Sequence, residues 1–266
     1  MKSFKKLLQE QSPEVKQLRD MAAEIVNEKI AHEQMILGTL LTGSVARGDA
    51  RIGPLGVMID LTIVTKTVND VSLEEIFGAD EEPFIPSHCV TLHDNIGLAV
   101  QTIEENELWK IRTKDEPSIF AMNESVVLND KKGILKKWKE EYFEITPDQV
   151  KERALNHYFR YCYLTNDYRF EKWSYRKAWE QIAQNFNEAN ECYCNFLYCI
   201  NDMFIPRKDW LAYLTYEMKI RPENHRQYMA EIYEMQLNDK LIKQKCKTYQ
   251  AIERWMSSYI KGRSWL

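Results

Sequence analysis

The residues whose types and spacing could do chemistry lie between Met35 and Thr65, in MILGTLLTGSVARGDARIGPLGVMIDLTIVT. Gly43 permits a tight backbone turn, and Ser44 can cap a helix beginning at Val45. The exposed amides of such a first turn face whatever binds there, and a polyphosphate is the natural guest. Arg47 can pair with phosphate or brace the loop through Asp49. Asp60 stands in the middle of the apolar run Val57 to Thr65, where a carboxylate is costly unless it is paired, hydrogen-bonded or bound to metal.

Several elements must position these groups. Met35 to Leu41 is a nearly unbroken apolar run of strand length, as a strand covered on both faces requires. Gly53, Pro54 and Gly56 mark a loop, after which Val57 to Thr65 returns as a second strand. Upstream, residues 12–34 read as one amphipathic helix, with Ser12 as cap, Pro13 in the first turn and a stripe of Val15, Leu18, Met21, Ala22, Ile25 and Ile30. Downstream, Ser72 opens a capping box before a short helix near Phe77. His88 to Leu92 and Ile96 to Ile103 read as a hairpin turning at Asp94-Asn95. Glu104 to Trp109 starts a helix or crossover, Asp115-Glu116-Pro117 reads as a turn, and Ser125 to Leu128 as a last short strand. His32, His88 and His93 lack metal-ligand spacing and read as solvated or structural.

Near Thr146-Pro147 the character changes to long helical periodicity rich in aromatics. Residues 148–167 form one expected helix and 172–203 a second, with Trp179, Ile182, Ala183, Phe186, Asn190, Tyr193, Leu197 and Ile200 on one face. Pro206 ends it, Arg207 to Lys219 makes a third, and at least one more follows Pro222 toward Lys261. The expected fold class is α+β, with a mixed sheet and helices over residues 1–146 and an all-α helical bundle over 147–266.

Strand, GSVARG, loop and acid-bearing strand together resemble the nucleotidyltransferase superfamily, which includes antibiotic adenylyltransferases and polymerase-beta-like enzymes. The family pattern is an apolar strand, Gly-Ser, often Ala-Arg-Gly, then Asp-x-Asp in the next strand; Gly43, Ser44, Ala46, Arg47, Gly48 and Asp60 fill it here. The resemblance covers about the first half of the chain. It implies that Gly43, Ser44 and Arg47 bind a nucleoside triphosphate and that Asp60 is a catalytic, magnesium-binding acid. The helical half is similar to that of small-molecule nucleotidyltransferases, and in LYCINDMFIPRKDW it offers Lys208 as a phosphate-facing cation. Glu180, Glu188 and Glu191 are equal candidates for a general base, and Tyr158, Tyr161, Tyr163, Tyr193, Phe196 and Tyr198 serve either as bundle core or as an aromatic wall.

The chain departs from the family where metal is held. In one register Met58 replaces the first acid; in the other Asp60 is the first and Thr62 replaces the second. The strand expected to carry a third acid has Ala99 and Gln101, with Asp94, Glu104 and Glu105 only flanking it. Magnesium prefers oxygen ligands, and a thioether is a poor partner for so hard an ion. Two function classes follow. One is an enzyme that transfers a nucleoside monophosphate from a magnesium-bound nucleoside triphosphate to a hydroxyl of a small molecule such as an antibiotic. The other is a degenerate relative, a nucleotide sensor or partner subunit.

Composition narrows the field. A formal net charge of -4 over 266 residues argues against nucleic acid as the partner. The six cysteines have no zinc-finger spacing and read as reduced core thiols. No apolar run approaches membrane-spanning length and no signal-like segment opens the chain, so a cytoplasmic protein is expected.

Overall fold

The computed structural model describes residues 13–67, 70–82, 84–93, 95–236 and 238–266. The expectations placed on Ser12 and Asp94 lie outside them. The chain divides into two compact units, the first ending at Glu144 and the second beginning at Ile145. The fold is α+β, and among the described residues no helix is long and apolar enough to cross a membrane.

The first unit runs α1 (Pro13–Ile25), a π turn (Val26–Ile30), β1 (Ile36–Thr42), α2 (Gly43–Arg47), β2 (Val57–Thr65), α3 (Leu73–Phe77), β3 (His88–His93) and β4 (Ile96–Glu104). It continues with α4 (Glu105–Trp109), a 3-10 turn (Ile111–Thr113), α5 (Glu116–Glu124), β5 (Val126–Asp130) and α6 (Ile134–Tyr142). The five strands form one sheet in the order β3-β4-β2-β1-β5. Only β2 and β4 pair in parallel; the other pairs are antiparallel.

The alternation of β2 divides the sheet into two faces. Ile59, Leu61 and Ile63 join Leu98 and Val100 of β4 and Val15, Leu18 and Ala22 of α1 in one core. Each fully buried Val, Leu or Ile among them contributes about 1.5–3 kcal/mol. Met58, Asp60, Thr62 and Val64 point to the other face. One end of that face is closed by α6: a Cβ at Gly38 would lie 2.5 Å from Leu135 Cδ1, and buried Trp138 donates its indole N–H to the Leu108 carbonyl at 2.8 Å. The other end is open, and Met58 is 39% exposed there.

Three local expectations in this unit need correction. The helix expected over 12–34 ends its α-helical part at Ile25 and continues as the π turn. The short helix begins at Gly43, with Thr42 in the cap position and no side-chain cap bond, so Ser44 lies inside α2 rather than capping it. Asp115-Glu116-Pro117 does not merely turn the chain. Asp115 accepts from the Ser118 amide at 3.2 Å and Pro117 occupies the first turn, which together start α5.

The second unit is all helix among its described residues: α7 (Pro147–Thr165), α8 (Asp167–Tyr175), α9 (Trp179–Ile200), α10 (Lys208–Leu211), a 3-10 turn (Tyr213–Glu217), α11 (His225–Ile232) and α12 (Asp239–Gly262). Thr146 and Gln149 form a capping box that opens α7. The helix expected over 172–203 is broken, because Lys177 adopts a left-handed φ of 52° between α8 and α9. The core is aromatic, with Phe186 of α9 stacked on Tyr249 of α12 at 5.0 Å between centroids. A polar chain runs through it: the Tyr249 hydroxyl donates to Asn190 Oδ1 at 2.7 Å, and Asn190 Nδ2 donates to the Ile232 carbonyl at 3.3 Å.

Candidate functional site

The turn between β1 and α2 is built against Asp60. Thr42 is directly opposite Asp60 in the β1–β2 ladder, and its hydroxyl donates to the Asp60 carbonyl at 3.3 Å. Gly43 follows with φ of 66°, a left-handed conformation that favours glycine. A Cβ there would overlap Asp60 Oδ2 and lie 2.9 Å from its Cγ, so the half-buried carboxylate sits against the Gly43 backbone. Ser44 is half-buried beside it.

Arg47 faces inward. Its Nε donates to Asp49 Oδ1 at 3.0 Å and its Nη2 to Oδ2 at 3.3 Å, and the two side chains are only 8% and 4% exposed. Of the two roles open to Arg47, this geometry is the loop brace. Gly48 then turns the chain with φ of 101°, its amide bonded to the Ser44 carbonyl at 2.9 Å.

The parallel register of β2 and β4 fixes what surrounds Asp60. Met58 lies beside Gly97, Asp60 beside Ala99 and Thr62 beside Gln101. The Met58 side chain covers Gly97, since a Cβ at 97 would overlap its sulfur and lie 3.1 Å from its Cε. Gln101 Nε2 donates to Thr62 Oγ1 at 3.1 Å, a neutral pair satisfied internally. Cys89 of β3 continues the row beyond Ala99, and its thiol pKa is raised by burial and by nearby acids, Asp80 foremost and Asp60 among them. A thiol so held stays protonated and is a weak ligand.

A two-ion centre does not fit this face. It needs several carboxylates converging on shared cations, and the positions around Asp60 carry Met, Ala, Thr, Gln and a protonated thiol. Glu104 is paired with Thr65, five residues along β2 from Asp60, which is about 16 Å of strand. Among the described residues no group of three or more His, Cys, Asp or Glu could hold a metal ion. What the arrangement can hold is one cation on Asp60, provided the ligand supplies the remaining oxygens.

The other expected site residues lie in the second unit. Lys208 opens α10 and binds Glu191 Oε1 at 2.8 Å on the surface, an ion pair that raises its pKa. Glu188 is paired with Arg160 at 2.6 Å, so two of the three candidate bases already hold cations. Of the six aromatics, Tyr158, Tyr161, Tyr193, Phe196 and Tyr198 are buried core, and Tyr163 is 50% exposed under the Arg169 guanidinium. His88 is structural, with Nε2 bonded to the Gly78 carbonyl at 2.9 Å.

Two participants have no signature in the sequence. Arg19 of α1 binds the carbonyls of α2, and nothing in its spacing separates it from the neighbouring charges Lys16 and Asp20. The Thr62–Gln101 pair depends on a register between strands about 30 residues apart.

A family described as a domain of unknown function, DUF4037, matches residues 111–211. No curated protein matches the chain. Among solved structures the chain is similar to a nucleotidyltransferase-like protein from Exiguobacterium sibiricum 255-15, at 9% identity and a TM-score of 0.43, over 93% of this chain and 78% of that one.

Proposed function

We propose that the first unit is a nucleotide-binding module of nucleotidyltransferase type that takes a magnesium-bound nucleoside triphosphate at the Gly43–Ser44 turn and lacks the acids for two-ion nucleotidyl transfer. It acts as a nucleotide sensor or partner subunit. The observation that carries this reading is the Asp60 carboxylate packed against the Gly43 backbone, in register with Ala99 and flanked along its strand face by Met58 and Thr62. A bare polyphosphate brought to that turn meets this carboxylate. Two like charges about 4 Å apart repel by about 4 kcal/mol at an effective dielectric constant of ~20, and less at a half-buried site. A magnesium ion between carboxylate and phosphates reverses that sign, and such ions are commonly held by one or two carboxylates plus phosphate oxygens. Ligand and cation therefore arrive together.

Calorimetric titration of the whole chain with non-hydrolysable ATP and GTP analogues, in magnesium and in EDTA, tests this. We expect binding in magnesium only, with no pyrophosphate released from the natural nucleotides in the presence of hydroxylated acceptors. Asp60→Asn removes the repelling charge, so EDTA and magnesium should then give affinities within a fewfold of each other. Equal wild-type binding in EDTA would overturn the cation-bridged reading. Acceptor-dependent turnover that Asp60→Asn abolishes would establish the transferase instead, and failure to bind either nucleotide would remove the turn as a site.

A further inference from the structure

We infer that Arg19 of α1 is a positioning residue for the nucleotide turn, holding α2 from behind so that the Gly43–Ser44 backbone keeps its presented shape. The inference rests on reading that turn as the nucleotide site. A helix of five residues has no stability of its own, and α2 makes few internal bonds. The amides of Gly48 and Asp49 both go to the Ser44 carbonyl, at 2.9 and 3.1 Å. The next two carbonyls belong to Val45 and Ala46, which are wholly buried, so water cannot terminate the helix there.

Arg19 terminates it. Its Nε donates to the Val45 carbonyl at 3.0 Å and its Nη2 to the Ala46 carbonyl at 2.7 Å. One planar fork thus satisfies two successive carbonyls and sets a positive charge at the negative end of α2. The fork is anchored, because Leu18 beside it and Ala22 one turn on are buried in the core under the sheet. A second link from α1 to this segment, Arg51 Nη1 to Glu14 Oε2 at 3.3 Å, is largely solvent-exposed and serves as a control. Exposed pairs of that kind contribute little.

The experiment compares Arg19→Ala, Arg19→Lys and Arg51→Ala in the whole chain. Hydrogen exchange of the 43–49 segment and affinity for the magnesium–nucleotide analogue are read on each. Trp138→Phe, which removes the bond to the Leu108 carbonyl elsewhere in the unit, controls for general loss of stability. We expect Arg19→Ala to speed exchange in 43–49 and weaken the nucleotide roughly tenfold or more, as loss of two charge-assisted bonds implies. Arg19→Lys, which keeps the charge but not the fork, should fall between, while Arg51→Ala and Trp138→Phe bind as wild type. If Arg19→Ala proves unfolded, Arg19→Lys carries the comparison alone. Unchanged exchange in the Arg19 variants, or an affinity loss matched by Trp138→Phe, overturns the inference. If the wild type binds no nucleotide, the nucleotide reading has failed, and the exchange data still decide whether Arg19 shapes the turn.

Discussion

Substituting Gly43 by alanine tests the central geometry without any ligand. At φ of 66° an L-residue costs about 1–2 kcal/mol. The added Cβ also overlaps Asp60 Oδ2 and lies 2.9 Å from Cγ, so the carboxylate must leave its place. Displacing a packed side chain typically costs about 1–3 kcal/mol, which gives a total of about 2–5 kcal/mol. The two contributions separate in a double-mutant cycle. In an Asp60→Ala background the overlap is gone and only the backbone cost remains, so a coupling energy of about 1–3 kcal/mol is expected. Hydrogen exchange of β1 and β2 peptides along a urea series reports the unfolding of this unit whatever the helical unit does. Coupling below about 0.5 kcal/mol, the limit of ordinary additivity, would show that the carboxylate does not sit against Gly43 and would refute the site as described.

Two predictions concern the helical unit. Burial lowers the pKa of both His157 and His225 to about 4 from an ordinary 6.5, with Arg153 adding to the shift at His157 and Arg221 and Arg226 at His225. Because the folded pKa lies below the unfolded one, each contribution is fully present above pH 6.5 and is lost as pH falls through 4, on the order of 2–3 kcal/mol per histidine. Urea midpoints between pH 7 and pH 4 should fall accordingly, and His225→Asn should flatten the slope; a slope unchanged by that substitution would refute the assignment. Lys245 is 3% exposed and donates from Nζ to the Ile232 and Glu234 carbonyls at the end of α11. Lys245→Met should lower the stability of this unit by about 1–3 kcal/mol by removing the Lys245 donor from the Glu234 carbonyl and leaving the Ile232 carbonyl to Asn190, and a midpoint equal to or above wild type would show that the cost of burying the charge outweighs the bonds.

What was legible in the sequence is what local rules determine. The apolar runs of β1 and β2 and the glycine between them announce strand, turn and strand, and the aromatic periodicity after Thr146 announces helices. The Arg47–Asp49 brace was visible as one of two alternatives because its members lie two residues apart. The neighbours of Asp60 were harder. That Ala99 and Gln101 share one face followed from alternation, but that they stand beside Asp60 and Thr62 follows only from a parallel register set by the core on the other face. Arg19 was invisible for the same reason, since its partners are backbone carbonyls 26 and 27 residues away and carry no side-chain signature. The break at Lys177 escaped because its left-handed φ falls on a residue type that does not announce one.

The uncharged residues beside Asp60 in the sheet also bear on the stability of this face. A second carboxylate at position 99, which is 8% exposed, would stand beside Asp60 in the sheet. Two carboxylates sharing such a site without a cation cannot both ionise readily, and one would have its pKa driven strongly upward. The Gln101–Thr62 bond and the Met58 side chain over Gly97 carry no such penalty, because their polar atoms are paired with each other or absent. The sheet is therefore complete as a folded object with the Asp60 carboxylate placed against the turn. That charge is too little to assemble two ions, but it is placed where one ion brought by a polyphosphate would be held. Under the function proposed above, Met58, Thr62, Ala99 and Gln101 act together, since each is a position at which the ligand rather than the sheet would have to supply the oxygens for a cation.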